Sequence, residues 1–360
     1  MIDLHYNFPL LDSQIPAWGE RLRVAVEENQ VNGLKSLQPS FKGSADRQRA
    51  IAAEWLGESV ENVWLTSGGH HGCMVVLLAA GLVGKTIAVE EYTYAGFKDQ
   101  ARMLGMRLVP CKVDAEGLIP ASLREACERE FGEGTPVAAL FTMPTVHNPL
   151  GCTMPIGRRE EVVKIAREFQ LLIMEDDAYA YLDDAPPLTL RKLAPERTFY
   201  VCGLSKSLAP AARTGFLAGP ADCDAAIMGA IRQTSTGVSN VLTAAACAMV
   251  EDGSFDALLA AKRDEGKRRN AEARRILGEC CLPGVPSAWH VCVALPDGVM
   301  SQKFEEQAAQ VGVAVSGGHW SAVGYGLPQR IRVSAGGEAE WTRVCEGLGI
   351  VRRELEAFSA

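Results

Sequence analysis

The segment Cys202-Gly-Leu-Ser205-Lys206-Ser-Leu-Ala-Pro-Ala-Ala-Arg213-Thr-Gly-Phe216 sets a lysine between two serines, followed by a short apolar run and an arginine. An exposed lysine after a helix-start serine accounts for such a segment. So does a nucleophilic amine, held among small residues and ready to form an imine with a carbonyl. Asp176, 30 residues before Lys206, belongs to Leu171-Leu-Ile-Met-Glu175-Asp176-Asp177-Ala-Tyr179, an apolar run that ends in acid. An imine-forming amine and a buried aspartate are the two groups that a pyridoxal phosphate site needs.

Three further features bear on the same chemistry. Thr66-Ser-Gly-Gly69-His70-His71-Gly-Cys-Met-Val-Val-Leu-Leu78 leads glycines and small polar residues into an apolar helix. Free N–H groups and the positive end of the helix dipole suit phosphate there, although a capped glycine turn has the same look. In Pro144-Thr-Val-His-Asn148-Pro149-Leu-Gly151, Asn before Pro disfavours helix and Pro-Leu-Gly makes a turn. This is either a plain turn or one that holds the Asn148 amide toward a sheet end. Three acids after a buried strand are costly unless solvated or paired. Either Asp176 or Asp177 caps the next helix, or one carboxylate faces a cationic ring nitrogen and keeps it protonated. Burial or neighbouring positive charge would lower the pKa of Lys206, and Arg213 offers a bidentate ligand for phosphate oxygens.

These residues need elements to bring them together. Apolar runs at Thr86–Val89, Arg107–Pro110, Val137–Phe141, Leu171–Met174, Thr198–Val201 and Thr214–Ala218 read as strands. Helical patterns such as Phe97–Leu104 and Arg158–Glu168 lie between them. The alternation predicts βαβ units around a mainly parallel sheet, whose ligands sit at the C-terminal strand ends. The acids after Met174 and the Ser-Lys after Val201 fall at such ends. Beyond about residue 250 the pattern changes to a long basic helix over Phe255–Leu277. Short alternating segments follow at Trp289–Leu295, Gly312–Val315 and Gln329–Val333, then a helix from about Glu338 to Ala357. A small α/β unit rich in antiparallel strands is expected there. The first forty residues show no core strand and read as an arm plus one helix packing on that C-terminal unit. The expected division is 1–40 as arm and part of the small domain, 41–250 as the large domain and 251–360 as the small C-terminal domain.

Composition sets outer bounds. The 360 residues, 48% hydrophobic and 22% charged, exceed the usual size of one core. A net charge of −8 argues against a nucleic-acid surface. Eleven scattered cysteines without paired Cys-x-x-Cys units fit reduced thiols in the cytoplasm. The N-terminus lacks a signal-peptide pattern, and no apolar stretch reaches spanning length. His70-His71 is the only close histidine pair, and adjacent histidines point apart, so no metal site is expected.

In this order, the glycine-rich helix start, Asn-Pro-x-Gly, Asp-x-x-Tyr, Ser-Lys and Arg resemble the fold-type I pyridoxal phosphate enzymes, specifically the class I/II aminotransferase family. The resemblance covers almost the whole chain and is strongest from Thr66 to Gly219. It implies an aspartate aminotransferase-like α/β fold with a seven-stranded sheet. By that resemblance Lys206 holds pyridoxal 5'-phosphate as a Schiff base and moves the substrate Cα proton. Asp176 pairs with the ring nitrogen. Asn148 and Tyr179 hold the ring's phenolic oxygen, with Asn148 also close to substrate, and Tyr94, within Glu90-Glu-Tyr-Thr-Tyr94-Ala-Gly96, stacks on the ring. Gly69, His70, Ser205 and Arg213 bind the phosphate. Arg332, in Arg330-Ile-Arg332-Val-Ser, clamps the substrate carboxylate, with Arg330 as the competing choice.

The chain also departs from the family pattern. Gly203 stands where a phosphate-binding serine is common, which predicts one hydroxyl fewer in the phosphate cup. Leu37-Gln-Pro-Ser-Phe-Lys-Gly43 lacks the tyrosine that a partner subunit usually contributes. His70, His71 and Lys42 are expected to compensate. A homodimer with shared sites is implied, with Phe41, Lys42 and the Asn240 region crossing over. Trp18, His319 and Trp320 are candidates for the substrate pocket. The expected activity is amino transfer between an α-amino acid and a 2-oxo acid. The same residues would also serve elimination, replacement or cyclisation. A regulator that uses the fold to bind an effector is a further alternative, against which the short segment before the fold argues.

Overall fold

The computed structural model describes residues 1–31 and 46–359. Seven strands form one sheet: β1 (Val63–Thr66), β2 (Thr86–Glu90), β3 (Arg107–Cys111), β4 (Val137–Thr142), β5 (Leu172–Asp176), β6 (Thr198–Gly203) and β7 (Gly215–Ala218). Their order across the sheet is β1-β7-β6-β5-β4-β2-β3. All run parallel except β7, which is antiparallel to both β1 and β6. The runs read from the sequence are the observed strands, with ends shifted by one or two residues. The seventh strand, β1, was not among them. It is four residues long and runs straight into the glycine turn, so its own length carries little strand signal.

A parallel sheet needs both faces covered, which is why its strands are almost continuously apolar. Alternate residues go to opposite cores. Phe141 and Met174 join Trp64 and Phe97 on one side, whereas Leu140 and Ile173 join Leu123 and Val162 on the other.

A second sheet carries β8 (His290–Ala294), β9 (Ser316–Gly317) and β10 (Arg330–Ser334), antiparallel, with β10 in the middle. Val291, Val293, Ile331 and Val333 face a core with Phe304, Val344 and Leu348. By the two-residue pleat, His290, Cys292, Arg330 and Arg332 then face the opposite way. One helix serves both cores: in α4 (Ser254–Leu277, with α1 to α3 named below), Phe255 and Leu259 pack beside the seven-stranded sheet, and Ala273 and Leu277 join the second core.

The N-terminal segment departs from expectation. Ile2–Asp3 pairs in parallel with Val313–Ala314, on the side of the second sheet. The helix α1 (Gln14–Val31) instead packs on α3 (Asn240–Glu251), against the large sheet's layer. Gln14 Nε2 donates to Leu208 O at 2.9 Å, and Leu11 and Trp18 pack with Leu65, Leu208 and Phe255. Apolar Leu11 and Trp18 find their cover there rather than on the small sheet. Trp18 therefore belongs to a packed layer and not to a substrate pocket. Among the described residues no helix is long and apolar enough to cross a membrane. All eleven cysteines are free thiols.

Candidate active site

The strand ends bring the chemistry to one edge of the large sheet. β1 leads through Gly68 into α2 (Gly69–Ala79). β2 leads to Tyr94, β4 to Asn148, β5 ends on Asp176, and β6 leads to Ser205 and Lys206. Because β7 is antiparallel, it starts at the same edge, directly after Arg213. The ten residues that the resemblance assigned to cofactor and substrate line one cavity of about 400 Å³: Lys206, Asp176, Tyr94, Asn148, Tyr179 and Arg332, with Gly69, His70, Ser205 and Arg213 at its anion-binding end.

Lys206 is half-buried, and its Nζ donates to Asn7 O at 2.8 Å. The ammonium lies 4.2 Å from the centre of the Phe8 ring and 5.7 Å from that of Tyr179. Burial first, and then the Arg332 charge, pull its pKa down to about 7, against the opposing pull of Asp176. Such an amine is part neutral at neutral pH, as a nucleophile must be. Tyr181 Oη donates to the Lys206 carbonyl at 2.8 Å, and the buried Lys262 Nζ donates to the same carbonyl at 3.1 Å.

The three acids at the end of β5, Glu175, Asp176 and the next residue Asp177, separate by the alternation of the extended backbone. Glu175 and Asp177 turn to the side of the buried Arg159: Arg159 Nη1 lies 3.8 Å from Glu175 Oε1, and its charge lowers both acids against their burial. Glu175 also accepts from Leu190 N at 3.0 Å and Arg191 N at 2.9 Å, capping the helix that starts there. Asp176 faces the cavity alone, accepting from Ala178 N at 3.2 Å. Burial pushes its pKa up to about 7. A carboxyl so placed calls for a cation inside the cavity.

Arg332 is half-buried, its pKa lowered by loss of water around the guanidinium, and no carboxylate among the described residues forms an ion pair with it. Nη1 donates to Asn148 Oδ1 at 2.7 Å and Nη2 to His5 O at 2.7 Å, whereas Nε has no partner. Tyr94 ends the turn before the helix Ala95–Met103, and its ring lies back over Gly96, where a methyl group would fall 2.5 Å from the phenol oxygen. The buried Tyr179 hydroxyl meets Asn7, and burial pushes its pKa up to about 12.

At the anion end, Ser205 Oγ and Arg213 Nη1 both stand 3.6 Å from where a Gly68 side chain would begin. Arg213 Nη2 is braced by Ser67 O at 2.6 Å. The predicted missing hydroxyl at Gly203 has a steric reason. A Cβ there would lie 2.7 Å from Gly69 N, so the start of α2 and the end of β6 touch backbone to backbone. His71 does not compensate for it. Its Nδ1 accepts from Ser67 N at 2.9 Å, its Nε2 meets Thr234 Oγ1 at 2.7 Å, and burial lowers its pKa to about 4, so it shapes the turn as a neutral ring. Lys42, Phe41 and the 37–43 segment lie outside the described residues.

Sequence reasoning missed Asn7, Phe8 and His290. Asn7 is 2% exposed, its Nδ2 meets His290 Nδ1 at 3.1 Å, and its Oδ1 has no partner. The run Leu4 to Asn7, with Leu4 and Asn7 buried and Tyr6 exposed, offered no pattern that would distinguish it from an arm. His319 stands behind the site, 3.5 Å from Glu305, and Trp320 lines an adjoining cavity.

Residues 1–348 match the family described as Aminotransferase class I and II. The chain belongs to this family. Among solved structures, an archaeal alanine:glyoxylate aminotransferase superposes with a TM-score of 0.90 at 21% identity, covering 99% of this chain and 91% of that one. A Pyrococcus horikoshii kynurenine aminotransferase, solved with PMP, gives 0.88 at 23% identity, over 99% and 91%. Of curated relatives, the uncharacterized HTH-type transcriptional regulator YdeF of Bacillus subtilis is 31% identical over 300 residues, which is 83% of this chain and 64% of that protein. Aminotransferase swnA of Metarhizium robertsii is 30% identical over 54% of this chain and 40% of its own length. The chain spans about half to two thirds of the length of the HTH-type relatives it matches first, at 64%, 49% and 46%.

The cofactor of this family is pyridoxal 5'-phosphate, and the residues present fit it. A glycine-walled anion cup, a lone buried carboxyl, a depressed amine and an unpaired guanidinium surround one cavity. Replacing Gly203 with Ser forces a side chain against Gly69 N. Overpacking of this kind costs about 1–3 kcal/mol, so the variant should unfold at lower temperature and lose cofactor on dialysis sooner than the wild type. A serine variant that matches wild type in both measurements would show that the backbone contact is slack.

Proposed function

We propose that this chain is a pyridoxal phosphate-dependent aminotransferase that moves an amino group between an α-amino acid and a 2-oxo acid. The single observation that carries this reading is the Lys206 amine, lowered to about 7 and set between an anion cup and the lone Asp176 carboxyl. When bound, the cofactor supplies an imine carbon and a protonated ring that withdraws electrons from the substrate Cα.

The chain's own residues supply the rest. Lys206 Nζ would hold the cofactor through its amine and would accept and return the proton at the substrate Cα. Its low pKa leaves a neutral fraction able to accept that proton. Asp176 keeps the ring nitrogen protonated, since its buried carboxylate is stabilised by a cation opposite. Arg332 binds the substrate α-carboxylate through its planar donors, and Asn148, already bonded to Nη1, fixes the plane of that guanidinium. Tyr94 would cover one face of the ring, and Tyr179 and Asn148 would donate to its phenolic oxygen. Ser205, Arg213, His70 and the N–H groups at Gly69 hold the phosphate.

We place the active form as a cytoplasmic homodimer, with the small C-terminal unit beginning near residue 250. Exposed Trp320, on the wall of the adjoining cavity, and fully exposed Tyr325 support a partner surface. Sedimentation of the purified protein at micromolar concentration should give twice the chain mass, and a monomer at that concentration would refute the assembly.

A second reading is favoured by one observation, the HTH-type regulators among the relatives. In it the fold binds an amino acid through the cofactor without turnover. Both readings require the imine band, which Lys206→Ala should abolish. They part on product: an aminotransferase incubated with an amino acid releases a stoichiometric 2-oxo acid and leaves the pyridoxamine form. Spectral change with no 2-oxo acid released would favour the effector reading and sink the first.

The Asp176 shift also fixes a pH dependence. A carboxyl raised in the folded state favours folding while protonated. That contribution is fully present below the ordinary carboxyl pKa and is lost as pH rises through about 7. Without cofactor, wild type should therefore lose stability between about pH 4 and about pH 7, by a few kcal/mol more than Asp176→Asn. Urea unfolding across that range measures the difference, and parallel slopes for the two proteins would remove Asp176 as the cause.

A further inference from the structure

A second cavity of about 320 Å³ adjoins the first and shares Tyr94, Asn148 and Arg332 with it. Its distinguishing residue is Arg330. Arg330 and Arg332 lie two apart on β10, and Ile331 between them turns into the small core, so both guanidinium groups face the cleft. Their Cα atoms are about 7 Å apart along the strand.

Arg330 has no ion pair among the described residues. The residues outside the description, 32–45 and 360, include no Asp or Glu. Glu305, a carboxylate that contacts Gly317 and Trp320 of the cavity lining, is taken up by Gly317 N at 3.3 Å, Trp320 Nε1 at 3.0 Å and His319. The Arg330 guanidinium lies 4.8 Å from the centre of the Tyr92 ring. Stacking of this kind uses the flat face of the group and leaves its in-plane N–H donors for a planar anion. Thr93, on the same cavity wall, has a buried hydroxyl with no partner. Between these polar groups the cavity offers Pro149, Cys292 and Trp320, which suit a short methylene stem.

We propose that the adjoining cavity is the subsite for the substrate side chain, and that the substrate is an amino dicarboxylic acid. This rests on the aminotransferase reading. The α-carboxylate takes Arg332, a stem of a few methylenes lies along Pro149 and Trp320, and the distal carboxylate takes Arg330. Specificity then comes from a donor set, partly withdrawn from water, that a neutral side chain leaves unpaired.

Calorimetric titration of the holoenzyme with unreactive acids tests this without turnover. Glutarate and adipate should bind at least tenfold tighter than pentanoate and hexanoate. Arg330→Gln should bring the diacids to within about twofold of the monoacids, and Arg330→Lys should restore part of the preference through its charge. Equal binding of diacids and monoacids by wild type, or an undiminished preference in Arg330→Gln, would overturn the subsite. Donor comparison separates this from the parent reading. A holoenzyme that transaminates norvaline as readily as glutamate defeats the subsite alone. One that prefers diacids but converts no amino acid supports the subsite and defeats the aminotransferase reading.

Discussion

Charge drawn largely out of water without an ionic partner is the constraint on which this structure turns. Lys206 and Arg332 are cations in a cavity where the protein provides one carboxyl, Asp176, and burial holds even that group partly protonated. Taking unpaired charge out of water is expensive, and a protein free of other demands would pair it or expose it. Here the hydrogen bonds that hold these groups come from backbone carbonyls and an amide: Asn7 O to Lys206, His5 O and Asn148 Oδ1 to Arg332. These partners orient the charges without neutralising them. On the aminotransferase reading proposed above, the neutralising ions come with the ligands: a phosphate, a ring cation and a carboxylate.

The sheet supplies that arrangement through direction and alternation. Parallel strands deliver Asn148, Asp176 and Lys206 to one edge, and antiparallel β7 starts at the same edge, so Arg213 joins them. Within β5, the two-residue repeat sends Asp176 to the cleft and Glu175 and Asp177 to Arg159. The same repeat in β10 sends Ile331 to the core and both arginines to the cleft. A one-residue slip in either strand would exchange site and core.

The N-terminal segment ties this cleft together. Ile2–Asp3 joins the side of the small sheet, residues His5 to Phe8 cross the cavity, and α1 docks on α3. The helix α4 spans the same two cores from behind. Relative position of Lys206 on one side and Arg332 on the other therefore depends on both connections. Lys262, midway along α4, adds a direct link by donating to the carbonyls of Lys206 and Leu208.

Much of the site was legible in the linear chain, because its residues sit in short motifs that follow strand ends. Ser205-Lys206, Asp176 with Tyr179, Asn148 before Pro149, and Gly68-Gly69 each combine a chemical group with the local turn that presents it. The order of the apolar runs likewise determined a mainly parallel sheet. What the chain could not show were relations between distant segments. The carbonyls of His5 and Asn7 that hold Arg332 and Lys206 come from more than 190 residues away, and backbone groups carry no side-chain signature. The reason for Gly203 is contact with Gly69, visible only when two strand ends meet. The docking of α1 and the separate fates of three adjacent acids were decided the same way. Local sequence specifies which groups are available and how each strand alternates. Burial, and hence charge state and pairing, depends on what packs opposite, and that exists only in the folded chain.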